Sequence, residues 1–419
     1  MRGDRPTAIK EGIRDEEALI FFAQRLEELS SPASLDSFRA PTVNIPSLLM
    51  EAVEQASLIA NASSGVPSSS INPIIEELTF RLSGNIVSSG IIPADREVIN
   101  KIRAASPDIV FGILMQLKQE LSGWAYATQA MHLAIELLAT SRKTDIEFLA
   151  TEIVTTLVNL SMSRRFIHEA VTEFFWGEGG DLSCIEDVRQ LYLRIFPQGH
   201  TFNVCFRVTE NVDALHAVRF EPLGISVLRD IPAPFDALSD QIDLEPQGSG
   251  NRFLLVQNIT ALDRHSAIAK AQSRVSLLKN MYRMYNHDNP FVLYDEILLE
   301  QCCEAGVKLV RSEGYVRRAV SDSSERLASR KLTNIMKHSA FLKGRHYEKF
   351  VSVSEFHGLS MDSESLPNKL LNTWISLETI CPSKKGSSKI ESVISGVIPC
   401  VGLKYIDRIF SSLTYDLLH

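Results

Sequence analysis

No stretch of this chain approaches the roughly eighteen uninterrupted apolar residues that a membrane span needs. The opening MRGDRPTAIKEGIRDEE is polar and mixed in charge, so it lacks the apolar core of a signal peptide. A cytoplasmic protein with no membrane partner is expected. Cysteine is scarce. Cys184, Cys205, Cys302, Cys303, Cys381 and Cys400 include no CxxC pair and no His at zinc-finger spacing. The neighbours Cys302 and Cys303 suit neither a zinc site nor an ordinary disulfide, so reduced thiols and no metal are expected. Charge of one sign is also lacking. With 43 basic and 51 acidic residues the net charge is −8, which excludes a general nucleic-acid coat protein but leaves room for a local basic patch.

The familiar catalytic signatures are missing too. Trp176-Gly177-Glu178-Gly179-Gly180 is the glycine cluster, but it follows a helical pattern and no Lys comes after it. It reads as a helix end and turn, not a phosphate loop. There is no GxSxG elbow, and His168-Glu169 lacks the second His of a metalloprotease helix. No cofactor is expected, and these motifs assign no catalytic residue.

What is present is a globular mixture. Apolar residues make up 45% and charged residues 22%, and 419 residues are too many for one core, so two or three domains are expected. Residues 1–195 read as successive helices. Glu16–Leu29, Pro107–Leu121, Ala127–Ala139, Asp145–Leu160 and Arg165–Trp176 each carry an apolar face at helical spacing. The Ser-, Pro- and Ala-rich residues 31–45 and 62–71 read as linkers. No fixed period relates the helices, so a repeat array is unsupported.

The pattern changes near Pro197. TFNVCFRV (Thr201–Val208) and NRFLLVQNI (Asn251–Ile259) alternate and are β-prone. Helices return with Asp263–Tyr285, parts of 313–345, Leu366–Ile380, Ser388–Ile398 and Lys404–Leu418. The expected domains are a helical region 1–195, a small α+β domain 196–300 and a helical region 301–419.

Residues 308–349 carry the most suggestive charge pattern. Lys308, Arg311, Arg317, Arg318, Arg326, Arg330, Lys331, Lys337, Lys343, Arg345 and Lys349 face only Glu313, Asp322, Glu325 and Glu348. Tyr315, Phe341 and Tyr347 are interleaved, with His338 and His346 among them. Guanidinium forks and aromatic faces are the groups that contact phosphates and bases. Arg317, Arg318, Arg326, Arg330, Lys331, Lys337 and Arg345 are the candidate nucleic-acid-binding residues. The competing reading is a solvated helical face or an interface to an acidic protein partner.

Three stretches together resemble the Apea-type HEPN group of prokaryotic defence proteins. They are IEFLATEIVTTLVNLSMSRRFIHEAVTEFFW leading into TFNVCFRV (146–208), VQNITALDRHSAIAKAQSRVSLLKNMYRMY (256–285), and residues 368–410 with Trp374 to Glu378 and Ile398-Pro399. The resemblance implies a sensing or scaffold region followed by an HEPN ribonuclease acting in abortive infection, with a phage trigger or protein partner and a homodimer formed through the C-terminal region. The fold it implies is mainly α with a small β-containing middle domain (α+β) and a C-terminal partial HEPN-like bundle. HEPN ribonucleases pair an Arg with a His that follows after four to six intervening residues, the His moving protons at the 2′-OH and the Arg holding the phosphate. Here only Arg194 and His200 have that spacing, and Pro197 and Gly199 interrupt any helix between them. Arg408 lies too far from His419. The chain as written is expected to stop before the family's catalytic residues. A non-enzymatic helical adaptor is the alternative.

Overall fold

The structure is a computed structural model. It describes residues 5–10, 15–31, 39–61, 65–92, 95–104, 107–140, 142–177, 182–196, 199–215, 223–242, 252–286, 291–304, 306–311, 324–339, 344–363, 365–381 and 388–418. It is mostly helical with one antiparallel sheet, and it divides into two compact units, Met1–Ser312 and Glu313–His419.

The first unit begins with ten helices: α1 (Glu16–Ser30), α2 (Ile45–Ala60), α3 (Asn72–Leu82), α4 (Ile86–Ile91), α5 (Asp95–Ala104), α6 (Pro107–Glu120), α7 (Gly123–Leu138), α8 (Lys143–Asn159), α9 (Arg164–Trp176) and α10 (Val188–Ile195). The segments read as linkers, 31–45 and 62–71, end where α2 and α3 begin. Pro46 and Pro73 fall in the first turn of each, where a missing N–H costs nothing. Asn44 caps α2, its side chain accepting from Ser47 N while the Ser47 hydroxyl accepts from Asn44 N. α1 and α8 are buried along most of their length. Leu19, Phe22 and Leu26 pack in one core with Ile146, Leu149, Ile153 and Leu157.

The sheet follows, with strand order β2-β3-β1-β4-β5, every pair antiparallel. The strands are β1 (His200–Val208), β2 (Ile225–Leu228), β3 (Arg252–Ala261), β4 (Leu293–Gln301) and β5 (Val307–Arg311). Alternation gives it two buried faces. Phe202, Val204, Phe206, Leu254, Val256, Ile297 and Leu299 pack with Ala267, Ala271, Val275 and Leu278 of α11 (Arg264–Arg283). Cys205, Phe253, Leu255 and Leu298 pack with Phe235 and Leu238 on the other face. The sheet runs past the boundary expected at residue 300, which falls inside the β4–β5 hairpin.

Helical layer and sheet meet at the start of α11. Asp263, buried, caps that helix. Its Oδ1 accepts from His265 N and Ser266 N at 2.9 Å each, and its Oδ2 accepts from Ser163 N at 2.8 Å and the Ser266 hydroxyl at 2.7 Å. Ser163 is the residue that starts α9. One carboxylate therefore ties two helix N-termini together.

Beside it, Glu169 of α9 accepts from Arg165 Nε at 3.0 Å and from an Arg264 guanidinium nitrogen at 2.7 Å, and lies 2.8 Å from His265 Nε2. Burial pushes the Glu169 carboxyl up, but His265 and Arg264 outweigh it and hold the group at about 2. A carboxylate depressed in this way stabilises the fold fully above its unfolded value of 4.5, and that stability is lost as pH falls toward 2. The contribution is on the order of 2 kcal/mol once solvent screening at a side chain 30% exposed is allowed for. Glu169→Gln should abolish this part of the acid destabilisation. Urea midpoints measured at about pH 6 and about pH 3 check it, and an identical acid response in parent and variant would refute it.

The second unit holds α12 (Glu325–Ser339), α13 (Arg345–Asp362), α14 (Leu366–Ile380) and α15 (Lys389–Leu418). The Ser360 hydroxyl joins α13 to α14, lying 2.9 Å from Thr373 Oγ1 and donating to Lys369 O at 3.0 Å. α14 and α15 approach closely at Gly396, where an added Cβ would sit 2.6 Å from Cys381 Sγ. The two helices expected at 388–398 and 404–418 are one, because α15 continues through Pro399.

Candidate nucleic-acid interface

The basic stretch 308–349 does not form one surface element. Lys308 and Arg311 belong to β5 in the first unit, where Lys308 pairs with Glu304 at 2.7 Å. Arg317, Arg318 and Lys343 lie outside the described residues. Arg345 opens α13, and His346 and Tyr347 are exposed in its first turn. Of the seven candidates, the structure brings Arg326, Arg330, Lys331 and Lys337 together on α12.

The sequence explains why α12 is amphipathic. Arg326, Arg330, Thr333 and Lys337 recur every three or four residues and share one helix face, with Lys331 at its border. Ala328, Leu332, Ile335 and Met336 occupy the opposite side. Both faces are open. Leu332 is 60% exposed, Ile335 48% and Met336 65%, and Arg326, Arg330, Lys331 and Lys337 are all exposed. Glu325, in the first turn, is the acid among the helix's described side chains, so its outer face carries positive charge in a chain that is acidic overall. Such a face attracts a polyanion by charge, while the adjacent apolar side suits base or protein contact.

The one Arg–His pair at ribonuclease spacing has the two residues engaged elsewhere. Arg194, in the last turn of α10, lies 3.9 Å from Glu173 and stacks its guanidinium 5.6 Å from the Phe174 ring centre. His200 opens β1, and its Nδ1 lies 2.7 Å from Cys303 Sγ. The vicinal cysteines missed as a unit by motif reading flank that imidazole. Cys302 Sγ accepts from Thr201 N at 3.4 Å. All six cysteines are free, with Cys302, Cys303 and Cys400 exposed and Cys205 and Cys381 buried. Burial pushes the Cys205 thiol up to about 12, so it is an inert core group. Among the described residues no cluster of three or more His, Cys, Asp or Glu is placed to hold a metal ion. No helix among them is long and apolar enough to cross a membrane. The chain matches no family model, no curated protein and no solved structure.

Proposed function

We propose that this chain is a defence-type protein related to HEPN ribonucleases that contacts RNA without cleaving it, using the basic face of α12. The observation that carries this reading is α12 itself, a helix of 15 residues exposed on both its cationic and its apolar sides. A cationic face and an apolar face exposed on one helix suit a polyanionic partner. The separate engagement of Arg194 and His200 supports the non-cleaving part.

A second copy of the chain is the protein partner we assign to the C-terminal unit. Leu370 and Leu371 of α14 and Ile390, Ile394, Ile398, Ile406 and Phe410 of α15 are exposed, more apolar surface than a monomer commonly leaves open. The competing reading is a helical adaptor whose α12 binds an acidic protein, and the same apolar side favours it.

Sedimentation of the whole chain, alone and with labelled single-stranded RNA, tests both parts. The expected result is a two-chain species that carries intact RNA. A monomer contradicts pairing, RNA left free at low salt favours the adaptor, and shortened RNA contradicts the non-cleaving reading. If cleavage appears, Arg194→Ala and His200→Ala decide whether that pair is responsible.

A further inference from the structure

The helical layer of the first unit contains a buried carboxylate of which one oxygen is left without a hydrogen-bond partner among the described residues. Glu152 of α8 is 6% exposed, and its Oε2 has no hydrogen-bond partner among the described residues. Tyr126 and Asn44 lie within hydrogen-bonding reach of the carboxylate, and both are also engaged with other groups. Asn44 Nδ2 donates to Thr156 Oγ1 at 2.8 Å, and that hydroxyl donates to the Glu152 carbonyl at 2.6 Å. Asn85 Nδ2 donates to the Tyr126 hydroxyl at 3.1 Å, while Asn85 Oδ1 caps α4 through Val87 N and Ser88 N. Burial pushes the Glu152 carboxyl up, and Tyr126, Arg81 and Asn44 oppose that push.

A cavity of about 340 Å³ lies against this carboxylate, lined by Ile45, Phe80, Arg81, Asn85, Phe148 and Glu152. Phe80 is 75% exposed, so its ring face is open to a ligand in the cavity it lines. The α3–α4 turn that borders the cavity passes through Gly84 at φ +79°, a backbone shape glycine adopts without strain.

We infer that this cavity is a ligand site for a flat nitrogen heterocycle of nucleobase type, which presents N–H donors to Glu152 and lays its ring against Phe80 and Phe148. A buried carboxylate needs a donor, and an N–H edge supplies it. Exposed aromatic rings are the surfaces on which bases stack. Arg81, held at Nε by Glu77 at 2.6 Å, puts a cation at the same cavity, where a phosphate attached to the base would find it. The volume lies at the small end for ligand sites and admits a mononucleotide, not a larger cofactor. Guanine is the best match, because its adjacent N–H donors face a carboxylate without a competing carbonyl between them. This site is built from α2, α3, the α3–α4 turn and α8 and does not rest on the α12 reading.

Saturation-transfer NMR and calorimetric titration with GMP, UMP and n-butylamine at about 1 mM test the inference on the whole chain. GMP should bind, UMP more weakly, and n-butylamine should not compete. Glu152→Gln replaces an acceptor with a donor at nearly constant shape and should weaken GMP about tenfold or more. Phe80→Ala should do the same, and since that ring is exposed its loss leaves the core and the circular dichroism unchanged. No GMP binding, parent-like binding by Glu152→Gln and Phe80→Ala, or equal competition by n-butylamine would overturn the site. A short guanine-containing oligoribonucleotide that displaces GMP assigns the base to an RNA strand. Failure to displace assigns it to a free nucleotide, and either result upholds the site.

Discussion

Asp263→Ala should cost the first unit about 3 kcal/mol, the largest stability loss expected from any single polar side chain described above. Removing a helix cap usually costs about 1 kcal/mol, up to 2. Here the same carboxylate also accepts from Ser163 N and the Ser266 hydroxyl, so a second helix start loses its anchor. The site is buried, and water does not readily replace the lost acceptor. The first turn of α11 carries Arg264, a cation at the end where the helix dipole disfavours it. Without Asp263 only Glu169 offsets that arrangement. Thermal and urea unfolding should show a midpoint lowered by about 6–10 °C for Asp263→Ala. Asp263→Asn retains an oxygen for the α11 cap and should lose only about 1 kcal/mol. An alanine variant within about 0.5 kcal/mol of the parent would show that the α9–α11 junction does not depend on this residue.

Of this junction, the sequence showed the helix of α11 but not the contacts that Asp263 and Glu169 make. Asp263 precedes an Ala-rich periodic run, and the helix starts one residue later, at Arg264. The apolar faces of α1, α8 and α9, each packed against one core, and the β-prone residues of β1 and β3 were likewise plain. What was hidden follows from physical causes. In LYDEILLEQ the charged Asp295, Glu296 and Glu300 surround a short apolar run, so the residues of β4 do not alternate cleanly. β5 is short and basic, and its Lys308 and Arg311 merged by composition with the helical residues beyond it. Pro and Ser suggested linkers at 31–45 and 62–71, and α2 and α3 begin at the ends of those segments, with Pro46 and Pro73 in their first turns. Pro399 suggested a break that α15 does not make.

The candidate interface was legible only in part. The charge pattern singled out Arg326, Arg330, Lys331 and Lys337, and helical spacing sorts Arg326, Arg330 and Lys337 to one side of α12. Sequence distance could not show that Lys308 and Arg311 belong to a different unit. The Glu152 cavity left a fainter signal, a lone acid between Thr151 and Ile153 in a run otherwise fit for burial. Its neighbours Asn44, Asn85 and Tyr126 come from elements too far apart in sequence to be associated by pattern.

RNA affinity measured against salt concentration, for the parent and for Arg326→Glu/Arg330→Glu/Lys337→Glu, tests the central claim most directly. All three positions are exposed and share one helix face, so reversal should leave the fold unchanged by circular dichroism. For the parent, log affinity for single-stranded RNA should fall linearly with log salt, each phosphate contact contributing about −0.7 to the slope. Loss of three contacts should flatten the slope by about 2 and weaken binding at low salt by about two orders of magnitude. A triple variant with the parent's slope and affinity, or a parent whose binding does not respond to salt, would contradict the assignment of α12 as the RNA-contacting surface.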